Sequence, residues 1–283
     1  SSILSMTTQQ FIDAALMEDI GAGDHTSLSC IPDIATGKAK LLVKQEGVAC
    51  GIDLAQMIFH TVDPSLEVEL LGADGQSIKP GDILLTVSGK SRSILMAERL
   101  VLNCAQRMSG IATLTAKYVK QLEGTRSRLL DTRKTTPLFR LMEKYAVKTG
   151  GGENHRFGLY DMIMIKDNHV DYAGGIEAAI TKADAYIKTN HLNLKIEIET
   201  RNMDEVIQVL STGKVDRIML DNFTPAQLSE AVKLIDGKYE TEASGGITIN
   251  NIREYALTDV DYISCGALTH SAVNIDLSLK AIH

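Results

Sequence analysis

The spacing of apolar residues divides the chain into two parts with different patterns. In the first part helix and strand spacings follow one another without a regular repeat. The predicted elements are an amphipathic helix over 7–20, strands over 38–48, 66–71 and 82–87, and a short helix over 53–61. This mixture predicts a small α+β domain. A long helical pattern over 91–123, weakened only at Gly110, follows it and is typical of a helix that joins two domains.

After Gly124, apolar runs of strand length alternate with amphipathic segments of helix length. The predicted strands lie at 128–130, 162–165, 194–198, 215–220, 239–243 and 260–264, a predicted helix follows each strand, and the last helix runs to the end of the chain. Successive βα units predict a parallel sheet, which is either an open doubly wound sheet or a closed barrel. Every strand ends in polar residues or glycine. Because a barrel gathers all those ends at one mouth, the pattern favours an α/β barrel.

Composition and charge narrow the class of protein. With 283 residues, of which 44% are hydrophobic, the chain has room for one large or two modest domains. It has no apolar run as long as a membrane span, and its start lacks the pattern of a signal peptide, so we expect a cytoplasmic protein. A net charge of −7 argues against non-specific nucleic-acid binding. Cys30, Cys50, Cys104 and Cys265 are far apart without a C-x-x-C pair, which predicts reduced thiols rather than disulfides or a zinc site.

The polar residues at the predicted strand ends form two groups of opposite charge. The cationic group is Arg133, Lys134, His155, Arg156 and Lys166, and the anionic group is Glu197, Glu199, Asp221 and Glu242. Guanidinium forks pair with carboxylates and phosphates, and carboxylates hold magnesium beside a polyphosphate. The mouth therefore suits a ligand with several anionic groups, together with a divalent cation.

Glycine-rich segments lie close to these charged groups along the chain. Gly150, Gly151 and Gly152 come shortly before the His155–Arg156 pair, and such a backbone is expected to lie close to an anion. Ser244, Gly245, Gly246 and Gly266 follow the last two predicted strands. Barrels commonly bind a phosphate with loop amides at this place, so we expect a monophosphate site there.

Structural explanations compete with each of these assignments. A single carboxylate is compatible with a buried ion pair, a single glycine with an ordinary turn, and His169 with a hydrogen bond that holds its own loop. On the long helix the pattern favours a solvated stripe with helix ion pairs for the polar residues. These residues are Glu98, Arg99, Asn103, Arg107 and Ser109. The convergence of so many polar residues at one end of the strands is what argues for a site.

Nine motifs, taken in order, resemble those of one known family. They are ERLVLN at 98–103, SGIAT at 109–113, DTRKTTP at 131–137, GGGENHR at 150–156, GLYD at 158–161, IKDNH at 165–169, LDNF at 220–223, EASGG at 242–246 and GALTH at 266–270. Together they resemble the quinolinate phosphoribosyltransferases, or carboxylating nicotinate-nucleotide diphosphorylases, over nearly the whole chain. Leu138 departs from the pattern, since relatives often carry glycine after Pro137.

The resemblance implies an architecture and an assembly. It implies an N-terminal α/β sandwich domain over 1–112, to which a C-terminal helix over 270–283 returns, and an α/β barrel over 113–269. The implied barrel has about seven strands, one more than the apolar pattern predicts. The resemblance also implies a homodimer whose active site is completed across the interface, with Arg99 of the long helix entering the partner's barrel mouth.

The resemblance further implies a reaction and the residues that serve it. Quinolinate and phosphoribosyl pyrophosphate would give nicotinate mononucleotide, pyrophosphate and carbon dioxide, a step of NAD biosynthesis. Arg133, His155, Arg156 and Lys166, with Arg99 of the other subunit, would bind quinolinate. Lys134 and a Mg²⁺ ion held by Glu197 and Asp221 would neutralise the pyrophosphate, and Ser244, Gly245, Gly246 and Gly266 would hold the 5-phosphate. Lys134, Lys166, Glu197 and Asp221 are thereby the expected catalytic groups.

Two other functions stay open at this point, and a third is disfavoured. One is a related phosphoribosyltransferase-like protein with another acceptor, such as the molybdenum-transport-associated members of this fold family. The loss of the cationic group would have favoured it, and that group is intact. A second is a barrel aldolase in which Lys166 or Lys134 forms a Schiff base, which requires a lysine desolvated in an apolar pocket. The third, a structural or binding role without catalysis, leaves the opposed charges at one mouth unexplained.

Overall fold

A computed structural model describes residues 7–282, so the parts of the predicted ranges at 1–6 and 283 lie outside the described residues. The helices are α1 (Thr8–Ile20), α2 (His25–Cys30), α3 (Ile52–Val62), α4 (Ser91–Gln121), α5 (Arg140–Thr149), α6 (Asp167–Ala173), α7 (Ile176–Thr189), α8 (Met203–Thr212), α9 (Pro225–Ile235), α10 (Ile252–Ala256) and α11 (Ala267–His270). Within the described range, no helix combines the length and the apolar character needed to cross a membrane.

The strands are shorter than the helices and follow the apolar runs of the sequence. They are β1 (Thr36–Val43), β2 (Gly47–Val48), β3 (Glu67–Leu70), β4 (Ser77–Ile78), β5 (Ile83–Lys90), β6 (Arg128–Leu130), β7 (Ile163–Ile165), β8 (Ile196–Thr200), β9 (Arg217–Asp221), β10 (Glu240–Ser244), β11 (Tyr262–Ser264) and β12 (Leu277–Ile282). The predicted helices over 7–20 and 91–123 and all six predicted βα strands are confirmed within a few residues.

The chain forms two compact units, and it passes between them more than once. The first unit contains the described residues up to Ala116, the segment Thr135–Gly151 and the residues from Leu268 onwards. The second contains Lys117–Lys134 and Gly152–Ala267. The sequence predicted one boundary after 112 and a return at 270, whereas the helix α5, expected as the first crossover of the barrel, belongs to the first unit.

The sheet of the first unit has the strand order β12-β1-β5-β3. Its edge strand β12 pairs antiparallel with β1, from Lys38 opposite Ile282 to Val43 opposite Leu277. The predicted C-terminal helix is therefore wrong beyond the short α11. Ile275 and Leu277 are both buried, and this period of two is the pattern of a strand with one face on a core. The open edge of β1 then supplies the hydrogen-bond partners.

The long helix α4 has two kinds of polar residue on its surface. Arg99 and Asn103 are exposed, as the stripe interpretation expected. Ser109 is fully buried, and its hydroxyl accepts from the Cys50 amide (2.9 Å) and donates to the Cys50 carbonyl (3.1 Å). Arg107 bonds to a buried glutamate, as described below. For these two residues the solvated-stripe interpretation is wrong, because periodicity alone does not reveal a polar partner on a packed face.

Gly110 has no room for a side chain on α4. A Cβ atom there would lie 2.2 Å from the Val273 carbonyl oxygen. Gly150, at the end of α5, is equally confined, since its Cβ would lie 2.4 Å from the Ala112 carbonyl oxygen of α4. Both glycines therefore allow backbone segments of the first unit to pack at contact distance. For Gly150 this packing is a sufficient reason for the residue, independent of any anion.

The second unit contains a parallel sheet of six strands in the order β6-β11-β10-β9-β8-β7. A single bridge between Leu130 and Glu153 adds one further extended position beside β6. The helices that follow β8 and β9 begin with side-chain caps, which satisfy amide groups of the first turn. Asn202 caps α8, and Thr224 caps α9 in a reciprocal pair with Gln227 just before Pro225.

Candidate active site

Three neighbouring strands direct alternate residues into the interior of the second unit. Side chains that are two apart along a strand share a face, and the register aligns these residues across β8, β9 and β10. Arg217 lies opposite Glu197 and Glu240 at the lowest level, Met219 lies opposite Glu199 and Glu242 above it, and Asp221 lies opposite Ser244 at the carboxyl ends. The carboxyl ends form the predicted mouth, and the lower levels lie beneath it.

A cluster of four buried side chains occupies the interior. His155 Nε2 lies 3.0 Å from Glu197 Oε2 and 3.2 Å from Glu242 Oε2. Arg217 Nη1 lies 3.0 Å from Glu242 Oε2 and 3.8 Å from Glu197 Oε2. Both glutamates have 0% exposure, so their charges must be balanced inside the protein.

The contacts of His155 show that the sheet is curled. Glu153, two residues earlier, bridges to β6 at one edge of the sheet, while the His155 ring touches residues of β8 and β10. In a flat sheet β6 and β8, which are four strand positions apart in the order, would be separated by about 19 Å. The sheet therefore wraps around a central core, as expected for an α/β barrel.

Both ring nitrogens of His155 are engaged within the chain. Besides the Nε2 contacts, Nδ1 accepts from the Arg156 amide at 2.7 Å. The His155 amide donates to Asp131 Oδ1 at 2.8 Å, at the end of β6. The predicted contact of His155 with a substrate carboxylate is therefore not favoured by this arrangement. The ring instead fixes the backbone from which the Arg156 side chain extends.

Burial and charge act in opposite directions on the pKa values of the cluster. Burial opposes a charged ring, but Glu197 and Glu242 outweigh it and raise the pKa of His155 to about 9. Burial and the charge of Glu242 raise the pKa of Glu197 to about 7. Burial also disfavours the charge of Glu242, yet His155 and Arg217 leave its pKa below the usual value.

The hydrogen bond at Nδ1 disagrees with a doubly protonated ring, because a nitrogen that accepts cannot carry a proton. We therefore assign a neutral ring with its proton on Nε2 between the two carboxylates. In this arrangement the Glu242 carboxylate faces Arg217, and the raised pKa of Glu197 lessens the charge that is buried beside it.

The cluster has the donor set of a metal site but does not require a metal. One ligand atom from each of His155, Glu197 and Glu242 lies within 4.8 Å of the others. The Arg217 guanidinium, however, already contacts both carboxylates and is itself held by Glu240 at 3.0 Å. The Arg217 guanidinium also stacks on the Tyr262 ring, with 4.0 Å between the guanidinium carbon and the ring centroid. A permanent cation thus already lies against the two carboxylates that would ligate a metal.

The predicted pairing of Glu197 with Asp221 around Mg²⁺ stays a prediction, and the structure favours a different pair. Mg²⁺ keeps several waters and uses one or two carboxylates beside substrate phosphates. Glu197 is fully buried against His155 and Arg217, which does not suit that coordination. Glu199 is half-buried, and burial and the charge of Asp221 raise its pKa. The carboxylates of Glu199 and Asp221 therefore lie together at the mouth and fit the ion better.

Lys166 lies between this pair and the start of α6. Its charge partly offsets the rise in the pKa of Glu199 and of Asp221, both of which burial raises. Lys166 is exposed, and its amide donates to His169 Nδ1 at 2.9 Å. His169 thus holds its own loop, as the structural alternative proposed. Lys166 is beside carboxylates rather than in the apolar pocket that a Schiff-base lysine needs.

Two guanidinium groups form the cationic side of the mouth. Burial lowers the pKa of Arg156, and the charge of Arg133 acts in the same direction. Arg133 and Lys134 are exposed, and the Lys134 amide donates to Thr132 Oγ1 at 3.0 Å. Two guanidinium groups in the same region suit a ligand with two adjacent anionic groups. Arg99 lies on α4 of the first unit and is exposed.

The predicted phosphate loop follows β10. Gly245 has a φ of +91°, and a Cβ there would lie 2.3 Å from Asn222 Oδ1, so only glycine fits between β10 and the end of β9. Gly246 is exposed, and Gly266 opens the turn into α11 after β11. Ser244 lies opposite Asp221 in the register of β10 and β9, which links this loop to the carboxylate pair. The loop geometry is thus compatible with the predicted phosphate contact.

Sequence reasoning missed the residues that stabilise the site from below. Arg217 and Tyr262 were counted only as parts of apolar strands, and Asp131 only as part of a motif. A signal for Arg217 existed, because it is a charged residue two positions before Met219 and four before Asp221 on the same strand face. A fully buried strand tolerates such a residue only when it is paired.

We predict that Glu242→Gln lowers the free energy of unfolding by about 3 kcal/mol, because it removes the buried charge that balances Arg217. Urea unfolding followed by circular dichroism measures the loss. Glu240→Gln is the matched control: it makes the same change against the same guanidinium, but its side chain is 38% exposed. The control should lose less than about 1 kcal/mol. Equal losses for the two variants would contradict this account of the cluster.

The chain was compared with known proteins. Residues 24–109 match the profile described as "Quinolinate phosphoribosyl transferase, N-terminal domain", and residues 111–280 match the corresponding C-terminal domain. "Quinolinate phosphoribosyltransferase [decarboxylating] 1" of Nicotiana glauca is 46% identical over 95% of this chain and 81% of its own length. "Probable nicotinate-nucleotide pyrophosphorylase [carboxylating]" of Bacillus subtilis is 40% identical over 96% of this chain and 92% of its own.

A solved structure has the same fold. The crystal structure of NadC from Streptococcus pyogenes superposes with a TM-score of 0.91 at 38% identity and covers 99% of this chain and 100% of its own. Both halves of the chain thus match one family in sequence, and the match in fold extends over nearly its whole length. On these grounds the chain belongs to the quinolinate phosphoribosyltransferase family.

Proposed function

We propose that this protein transfers the phosphoribosyl group of phosphoribosyl pyrophosphate to quinolinate and releases pyrophosphate and carbon dioxide. The observation that carries the proposal is the division of charge at one barrel mouth. The charge of Arg133 acts on Arg156, the carboxylates of Glu199 and Asp221 lie towards the ends of β8 and β9, and the charge of Lys166 acts on both carboxylates. A reaction between a dicarboxylate and a metal-bound diphosphate ester requires both kinds of site.

The guanidinium side accounts for recognition of quinolinate. Its two carboxylates are on neighbouring ring carbons, so both can accept from Arg133 and Arg156 at once. Lys166 supplies a third positive charge from the start of α6. His155 contributes indirectly, since its ring holds the Arg156 backbone in place. An acceptor with a single carboxylate would leave one guanidinium without an anionic partner.

The carboxylate side accounts for recognition of the second substrate. Glu199 and Asp221 would hold Mg²⁺, which when bound neutralises charge on the departing pyrophosphate. Lys134 would add a cation beside that group, and the loops at Ser244–Gly246 and Gly266 would bind the 5-phosphate through their amides. Binding both reactants in one orientation supplies several kcal/mol of the rate enhancement.

The reaction then has two steps, transfer of the ribosyl group and loss of carbon dioxide. The ring nitrogen forms a bond to the ribose carbon while that carbon's bond to pyrophosphate breaks. Positive charge develops on the ribose, and the carboxylates at the mouth stabilise it. The ribosylated ring then loses its 2-carboxylate as carbon dioxide. The positive ring nitrogen stabilises the electron pair left on carbon, and a proton from a donor such as Lys166 completes the product.

The active site is proposed to be completed by a second copy of the chain. Arg99 is exposed on α4, has no partner within the described residues 7–282, and belongs to the first unit. An additional guanidinium from a partner subunit would strengthen the dicarboxylate site. The homodimer and the cytoplasmic location both stay predictions.

We predict release of both carbon dioxide and pyrophosphate with quinolinate, phosphoribosyl pyrophosphate and Mg²⁺, and little of either with nicotinate. Arg133→Ala should lower kcat/KM for quinolinate at least about 100-fold, because a charged hydrogen-bonded contact contributes about 3 kcal/mol. Exposed Lys182→Ala serves as a control for loss of a cation in the same unit. Nicotinate used as well as quinolinate would refute the dicarboxylate assignment.

The Mg²⁺ dependence of pyrophosphate binding should distinguish the role of Glu199 from that of Glu197. We predict that Glu199→Gln and Asp221→Asn each weaken Mg²⁺-dependent binding of pyrophosphate about tenfold or more, because each removes one hard oxygen ligand. Calorimetric titration with pyrophosphate at several Mg²⁺ concentrations measures this. Glu197→Gln, buried below the mouth, should change the Mg²⁺ dependence less than about twofold. If Glu197→Gln changed the Mg²⁺ dependence more than Glu199→Gln, the ion would instead be held by Glu197 and Asp221, as the sequence resemblance implied.

A mixing experiment tests the shared site. Arg99→Ala and Arg133→Ala should each be nearly inactive as homodimers. After the two are denatured and refolded together, half of the dimers should be mixed, and each mixed dimer should contain one site with both arginines. Activity should then recover to about one quarter of the wild-type value. No recovery from folded mixed dimers would place Arg99 and Arg133 in the same subunit's site or remove Arg99 from it.

A further inference from the structure

Arg107 on α4 has contacts that the proposed reaction does not use. Its guanidinium donates to Glu143 Oε1 through Nε (3.1 Å) and Nη2 (3.0 Å). Nη1 donates to the Ala272 carbonyl (3.0 Å), and Nη2 also donates to the Thr269 carbonyl. One side chain thus connects α4, α5, α11 and the segment just after α11.

Glu143 is the second member of this pair and is fully buried. Its carboxylate accepts from the Thr136 amide at 3.0 Å through Oε2 and from the Thr136 hydroxyl at 2.8 Å through Oε1. Together with Arg107 these donors satisfy a carboxylate that burial would otherwise make costly. The pair therefore holds Thr136 by two bonds and the 269–272 segment by two more.

The bonded positions coincide with the places where the chain passes into the first unit. Lys134 is the last residue of one segment of the second unit, and Thr136 is the second residue after that crossing. Ala267 is the last residue of the other segment, and Thr269 is the second residue after it. Lys134 and Gly266, the predicted pyrophosphate and phosphate contacts, therefore precede the anchored residues by two and three positions.

We propose that Arg107 and Glu143 are positioning residues for the site of phosphoribosyl pyrophosphate. By anchoring Thr136 and Thr269 they restrain the ends of the two loops that carry Lys134 and Gly266. The proposal rests on the proposed function and adds residues that contact neither substrate. Arg133 and Lys134 are exposed on the first of these loops, and surface loops are generally more mobile than the elements that they connect.

The anchoring requires the shape of arginine as well as its charge. A planar fork can reach the Glu143 carboxylate and two carbonyls in different directions, whereas a lysine ammonium retains the charge but not that geometry. Arg107→Lys therefore removes the connection between the two crossing segments without leaving Glu143 unneutralised. The milder Thr136→Val removes only the hydroxyl bond to Glu143 and preserves the side-chain shape.

Arg92 provides a matched control on the same helix. It also donates to two carbonyls and one carboxylate, those of Ile31, Leu28 and Asp33, and its side chain is 23% exposed, the same as that of Arg107. None of its partners is near a crossing between the units. Arg92→Lys therefore has the same loss of fork geometry with no connection to the substrate loops.

The test measures KM for each substrate and hydrogen exchange in the free protein. In Arg107→Lys we expect KM for phosphoribosyl pyrophosphate to rise about tenfold or more, the scale produced by displacement of a binding group by less than about 1 Å. KM for quinolinate should rise by a clearly smaller factor, because Arg133 shares the Lys134 loop whereas Arg156 lies on a different segment. Exchange should become faster in peptides over 132–137 and 264–272. Thr136→Val should change the same quantities in the same direction by a smaller factor.

Three outcomes would overturn the inference. They are equal changes of both KM values, a change in Arg92→Lys as large as in Arg107→Lys, and loss of thermal stability with both KM values unchanged. If the wild-type protein releases no product, the proposed function fails instead. Calorimetric binding of pyrophosphate with Mg²⁺ by the wild type, Arg107→Lys and Arg92→Lys would then decide the inference, which predicts weakening of about tenfold in Arg107→Lys alone.

Discussion

The carboxylate of Glu242 is completely buried, and the interior of the second unit is arranged to balance its charge. Removing a carboxylate from water costs several kcal/mol unless a partner and hydrogen bonds compensate it. Arg217 supplies the charge from the neighbouring strand, and Tyr262 and Glu240 hold that guanidinium in place. His155 approaches from the opposite side of the barrel. The requirement for neutrality thereby connects strands that do not pair with each other.

This connection has a mechanical effect at the mouth. The segment at 153–156 has only one bridge to the sheet, and its position depends on the contacts of His155 and on Asp131. Arg156 extends from the same segment, so its backbone is held in place by these contacts with the barrel core. A guanidinium held in this way loses little freedom when an anion binds, which favours both affinity and orientation.

Burial decides which charges of the second unit stabilise the fold and which remain available for chemistry. Glu197 and Glu199 are two residues apart on β8 and face the same interior, yet one is sealed beneath the mouth and the other is half-buried at it. Arg217 and Asp221 differ in the same way on β9. At the lower level the charges of Glu197 and Arg217 oppose each other, whereas at the upper level the two carboxylates Glu199 and Asp221 have the same sign. Such an unbalanced arrangement is costly unless a ligand of the opposite charge completes it.

The sequence was sufficient for the order of elements and for the side of the barrel that carries chemistry. The apolar runs of strand length, such as those at β8 and β9, are local signals and were interpreted correctly. It was not sufficient wherever the partner of a residue is distant along the chain. Arg107 and Ser109 were predicted to be solvated because Glu143 and Cys50 cannot be inferred from helical spacing. The sequence also could not tell which of Glu197 and Glu199 lies at the mouth. Alternation along a strand shows which residues share a face, but not how deep in the barrel each one lies.

The C-terminal strand also determines how the protein can fold during synthesis. Lys38 in β1 pairs with Ile282 in β12, so this sheet joins residues from opposite ends of the described chain. The ribosome completes every strand of the second unit before it releases β12. Until then one edge of β1 has unpaired amides and carbonyls that can pair with other chains. Contacts of such long sequence separation form slowly. The barrel is therefore expected to mature first, while the sheet formed earliest in the sequence is completed last and is the principal site of aggregation in nascent chains.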